Sequence, residues 1–150
     1  MSHYNALVNL GLMCWSTILL GYERGWIKRE DIFNYAIAQL EGNNGAYDEC
    51  VAIIAGGAYL SDEELCGLIF SKMKGVSDCC ELDKWRLAFL LCIESLEASD
   101  EIKLIQLQEV YAEFNYPRDM ISCSIYSQDN ISPLVAMHQV VESLKRRFYI

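Results

Sequence analysis

The stretch Leu82–Leu96, LDKWRLAFLLCIESL, decides the fold class. Leu82, Trp85, Phe89, Cys92 and Leu96 recur in steps of three and four, the spacing that lines one face of an α-helix. The same period continues toward the C-terminus. Leu104, Leu107, Tyr111 and Phe114 form a second stripe, which Asp100 can cap and Asn115 ends before Tyr116-Pro117. A short helical turn is expected from Pro117 to Cys123, then a polar loop from Tyr126 to Ile131. Ser132-Pro133 is a cap followed by proline at the first helical position. It opens a last helix that buries Leu134, Met137, Val141, Leu144 and Phe148.

Toward the N-terminus the period persists. Leu65, Leu68, Ile69 and Met73 form a stripe that begins after Ser61 and ends at Gly75. Ser61 with Glu64 makes a capping box, in which each side chain satisfies a free amide at the helix start. Before it, a helix is expected from about Ala46 to Ala55, stopped by Gly56-Gly57, and Gly42-Asn43-Asn44-Gly45 reads as a turn. A helix from about Lys28 to Glu41 buries Ile32, Ala36 and Leu40. A first helix from about Tyr4 to Gly21 places Val8, Leu12, Trp15 and Leu19 on one face. With two prolines and little strand-like alternation, the expected fold is all-α. It is a single-domain antiparallel helical bundle or array of about seven to eight helices over residues 1–150.

Composition agrees. An apolar fraction of 53% against 22% charged describes a globular chain with a core, not a disordered one. A net charge of −9 argues against direct nucleic-acid binding, which needs clustered Lys and Arg, and against an anionic membrane surface. The seven cysteines are odd in number, mostly within apolar helical patterns, and form no C-x-x-C. They read as free thiols in a reducing cytosol rather than as disulfides or zinc ligands. Cys79-Cys80 reads as packing at a helix start, with a redox pair as the alternative. Asn5–Leu20 is apolar but lacks a basic leader and a small-residue cleavage site, and it is interrupted by Asn9, Ser16 and Thr17. A cytoplasmic location is expected.

No catalytic pattern stands out. The chain contains no G-x-S-x-G, no P-loop and no H-E-x-x-H. Its two histidines are His3, near a terminus, and His138, read as a helix-surface residue. Glu109 with Glu113, and Glu94 with Glu97, lie at helical spacing, but a di-metal bundle would add Glu-x-x-His pairs, and there are none. No catalytic residue, cofactor or metal is expected. An enzyme using Glu109, Glu113 or His138 is the reading this sets aside. Lys145-Arg146-Arg147 offsets the dipole of the last helix.

The feature that asks for a function is acidic. From Glu30 to Ser71 the chain carries Glu30, Asp31, Glu41, Asp48, Glu49, Asp62, Glu63 and Glu64, and no Lys or Arg. Acidic residues in first helical turns complement the helix dipole, which accounts for each cluster locally. It does not account for the missing cations, since a one-signed field repels itself. A basic partner would. Asp48, Glu49, Asp62, Glu63 and Glu64 are the candidate contacts, with Tyr47 and Tyr59 as candidate anchors. Neutralisation by Lys72, Lys84 and Arg86 would remove that surface.

Three short motifs add a resemblance. They are Trp26-Ile27-Lys28 with Asp31-Ile32 and Tyr35-Ala36, then Asp83-Lys84-Trp85-Arg86, and then Glu109-Val110-Tyr111-Ala112-Glu113-Phe114-Asn115-Tyr116-Pro117. Together they resemble a small uncharacterised all-helical bacterial family. Its relatives look like immunity proteins of polymorphic toxin systems, including contact-dependent growth inhibition. The motifs themselves read as core and helix-stop residues, so no site is carried over. The resemblance implies a cytoplasmic toxin inhibitor that binds a cognate toxin domain and performs no chemistry. A nuclease suits an acidic surface, because nuclease sites are basic where they hold phosphate. The alternative is a non-enzymatic adaptor or scaffold for another basic protein.

Overall fold

The computed structural model describes residues 2–42, 47–73 and 78–150, and only the backbone of Asp78 and Cys79. The fold is all-α, with no strand among the described residues. The helices are α1 (His3–Asn9), α2 (Trp15–Glu23), α3 (Arg29–Glu41), α4 (Glu49–Ala55), α5 (Asp62–Lys72), α6 (Asp78–Glu94), α7 (Asp100–Glu113) and α8 (Pro133–Arg147), with a 3₁₀ segment at Arg118–Cys123. The contacts form two compact units, Met13–Glu81 and Met1–Leu12 with Leu82–Ile150.

The single first helix expected over Tyr4–Gly21 is two helices. Gly11 takes φ +71°, a left-handed conformation that only glycine adopts without steric cost. The amide of Leu12 then bonds the carbonyl of Leu7, and that of Gly11 the carbonyl of Val8, which closes α1 as a Schellman motif. Val8, expected inside, is exposed as a result. The same closure, with Asn115 at φ 60°, ends α7 at the expected place.

In the unit Met13–Glu81, α3 packs on α4, α2 on α5, and α4 on α5. Ile18, Ile32, Ala36, Ile54, Leu65 and Ile69 are buried there, and Trp15 meets Tyr35 edge-on at 4.7 Å. The Ser61–Glu64 capping box forms as the sequence predicts. Leu40 is only half-buried. Ala46, Gly75 and the turn residues Asn43, Asn44 and Gly45 lie outside the described residues.

In the other unit, α7 and α8 pack together and both touch the 3₁₀ segment. Leu87, Leu90, Leu107, Met120, Val141 and Leu144 are at the centre of its core. Gln108 fastens the C-terminal end of the 3₁₀ segment, donating to the Cys123 carbonyl at 2.8 Å and accepting from the Ile125 amide at 3.2 Å. Ser99, rather than Asp100, caps α7, accepting from the Ile102 amide. Arg86 is nearly fully buried and bridges Asp83, at 3.0 Å, to Asp119, while Arg147 reaches the second oxygen of Asp83. The Asp83-Lys84-Trp85-Arg86 motif thus places a buried cation within a set of carboxylates.

Candidate functional site

The acidic residues singled out in the sequence lie at the first turns of α4 and α5. Asp48 is the N-cap of α4, its side chain accepting from the Val51 amide at 3.2 Å. Its other oxygen pairs with Lys72 from the last turn of α5. The Cys50 thiol lies 3.5 Å from the Ser71 hydroxyl, so the start of α4 sits beside the end of α5. Asp62, Glu63 and Glu64 open α5 at its other end. The helix is 11 residues long, or about 16 Å at the usual rise. The two clusters therefore bracket α5 instead of merging.

Three of the five candidate carboxylates have local partners. Asp62 accepts from the Tyr22 hydroxyl at 2.6 Å and from the Arg29 guanidinium at 3.0 Å. Arg29 also donates to the carbonyls of Leu60, at 2.6 Å, and Ala58, at 3.3 Å, which fixes the approach to α5. Glu64 is occupied in the capping box, where it accepts from the Ser61 amide. Glu49 and Glu63 are exposed and form no ion pair among the described residues. The aromatic candidates stand in solvent, Tyr47 at 76% and Tyr59 at 88% exposure. Arg29 and Lys72, the cations that flank the acidic segment, are thus each tied to one carboxylate within it. Arg86, considered as a neutraliser from sequence, pairs with Asp83 and Asp119 instead.

Tyr22, Arg29 and Phe70 were not singled out in the sequence. Arg29 could have been found as the last cation before the acidic run. Phe70 could have been found by position, since it falls off the buried Leu65–Ile69 stripe and is 67% exposed.

These pairings predict an acid response. Lys72, then the Val51 amide, hold the Asp48 carboxyl below its ordinary 3.8. The Tyr22 hydroxyl, then Arg29, do the same for Asp62. As pH falls, the unfolded chain therefore takes up protons at these positions before the folded one does. The stability these pairs contribute is complete above pH 3.8 and lost as pH drops through the folded values. The melting temperature of Asp48→Asn/Asp62→Asn should lie below wild type by a constant gap near neutrality, and the gap should close below about pH 4. A gap that persists unchanged to about pH 2 would contradict this.

His138 lies elsewhere, on α8, and is exposed. Its Nδ1 is 2.9 Å from Glu94 and its Nε2 is 4.0 Å from Glu142, so both ring nitrogens face carboxylates rather than a hydroxyl or thiol. His138 and Glu94 border an open groove of about 610 Å³ that is also lined by Asp100, Lys103 and Ser132. Glu109 and Glu113 are exposed on α7. No three His, Cys, Asp or Glu side chains converge as metal ligands among the described residues. Burial, then Asp119, push the Cys123 thiol up to about 11, which keeps it protonated and unreactive at neutral pH. Cys80 is exposed, and the Cys79 side chain lies outside the described residues. No described helix is long and apolar enough to cross a membrane.

A family model described as "Uncharacterized protein conserved in bacteria (DUF2247)" matches residues 4–147. The chain belongs to that family. The DUF2247 match takes in all three motifs on which the sequence resemblance rested. Its description assigns the family no activity and no partner. No curated protein and no solved structure matches the chain.

Proposed function

We propose that the protein is an immunity protein that binds one cognate toxin domain, a basic nuclease, and occludes it without chemistry of its own. The observation that supports this reading is the acidic segment itself. Arg29 and Lys72 offset Asp62 and Asp48, which narrows the uncompensated charge to Glu49 and Glu63. Both face solvent, and the exposed Tyr47 and Tyr59 lie close to them in sequence. Exposed carboxylates steer a cationic partner and speed its encounter, while aromatic rings supply contact area at little entropic cost. A nuclease has to hold phosphate and so offers the complementary charge. Membership in a bacterial family of small helical proteins is compatible with this role.

The test is co-expression with toxin domains encoded beside the gene. Cells carrying the cognate pair should survive, and the toxin domain should co-purify in a stoichiometric complex. Failure to rescue cells from any neighbouring toxin would favour the adaptor reading.

A further inference from the structure

The outward face of α5 carries Glu63, Gly67 and Phe70, spaced four and three residues apart and so lying one above another. Leu65 and Ile69 anchor the opposite face in the core. Glycine is the least favourable helix-interior residue after proline. Here nothing inside the protein calls for it, because a Cβ built on Gly67 meets no atom within 4 Å. The glycine leaves a notch floored by backbone, and the next turn supplies Phe70, a large apolar side chain 67% exposed. Glu63 lies at one end of this stripe. Glu49 opens α4, and the next residue, Cys50, lies against Ser71 in the last turn of α5, beyond Phe70.

We propose that the Glu63–Gly67–Phe70 stripe is the seat for a cationic, apolar-faced helix of a protein partner. An apolar side chain of that helix lies over Gly67 against Phe70, and its Lys or Arg side chains meet Glu63 and Glu49. Glycine at the contact lets two helix axes approach closely, since the side chains at a crossing set their separation. The charge of the stripe selects the occupant. A second copy meeting the first stripe to stripe would bring carboxylate against carboxylate, and a nucleic acid would bring phosphate against carboxylate. The proposal rests on the acidic-surface reading above and names the place where the partner sits.

The test uses two variants and two probes. A Cβ at Gly67 meets no atom within 4 Å and glutamine favours the helix over glycine, so Gly67→Gln should keep the fold while filling the notch. Phe70→Ala removes the wall. The first probe is a synthetic leucine–lysine peptide patterned as an amphipathic helix, and the second is the toxin domain encoded beside the gene. Amide chemical-shift changes on adding the peptide should be confined to α5 and the first turn of α4. Each variant should weaken peptide binding by roughly tenfold or more, whereas Ile105→Ala, at an exposed position on α7, should leave it unchanged. Shifts centred elsewhere, no peptide binding, or Gly67→Gln binding as tightly as wild type would overturn the proposal. Should Phe70→Ala fail to fold, Gly67→Gln decides alone. If the toxin domain binds wild type and Gly67→Gln equally, the seat is wrong and the immunity reading stands. If the peptide behaves as expected and no toxin domain binds, the seat stands and the immunity reading fails.

Discussion

Arg86→Ala should destabilise the protein by roughly 1–3 kcal/mol, read as a lower denaturation midpoint at unchanged slope. Arg86 is 5% exposed and binds Asp83 and Asp119. Its removal leaves Asp83 with only Arg147 and strips Asp119 of its guanidinium. Asp83 is largely buried and would keep only Arg147, whereas Asp119 is 42% exposed and regains water. The loss therefore falls mainly on Asp83 and on the packing of the guanidinium stem. Asp119 lies in the 3₁₀ segment, so this network also ties that segment to α6. Arg86→Lys should recover only part of the loss, since an ammonium cannot present two parallel donors as a guanidinium does. Full recovery by lysine would mean that charge alone matters here. No loss in Arg86→Ala would mean that the network is not structural.

The second large effect concerns association. Reversing Glu49 and Glu63 together, as Glu49→Lys/Glu63→Lys, should slow binding to the cognate toxin domain by roughly tenfold or more at low salt. It should also flatten the dependence of the association rate on ionic strength. These two residues are chosen because they are exposed and carry no ion pair among the described residues. Reversal at Asp62 or Asp48 would be ambiguous, since each also anchors Arg29 or Lys72 and each is held by a local hydrogen bond. An unchanged association rate, with folding confirmed by circular dichroism, would remove both residues from the encounter surface.

The sequence made the fold legible wherever periodicity and capping agreed. The Ser61–Glu64 box, the Ser132-Pro133 start and the stop at Asn115 are all present. Each is a local signal whose physics does not depend on the rest of the molecule. The N-terminal helix was misread because apolar residues run at helical spacing through Gly11, and the pattern cannot tell a tolerated helix glycine from a left-handed stop. Of the expected stripe on α6 and just beyond it, Trp85 is buried while Leu82, Phe89, Cys92 and Leu96 are half-buried, for another reason. Leu87, Ala88, Leu90 and Ile93 are buried as well as Trp85, so burial extends well around the helix and periodicity fades.

The candidate surface was legible as composition but not as geometry. The acidic run with its cation gap can be read from the chain, and so can the fact that Arg29 and Lys72 flank it. That Arg29, at the start of α3, reaches Asp62 beside Tyr22 of α2, and Lys72 reaches Asp48, depends on α2 and α4 both packing on α5. Those contacts join residues 33 and 24 positions apart, beyond the reach of local patterns. Only the fold separates Asp48, Asp62 and Glu64, which serve the structure, from Glu49 and Glu63, which face solvent.

Amide hydrogen exchange of the protein with and without its cognate toxin domain tests the central claim most directly. Slowed exchange on binding should concentrate in α5 and the first turn of α4, with α7 and α8 unchanged. Protection confined to residues 82–150, with α4 and α5 exchanging as in the free protein, would contradict it.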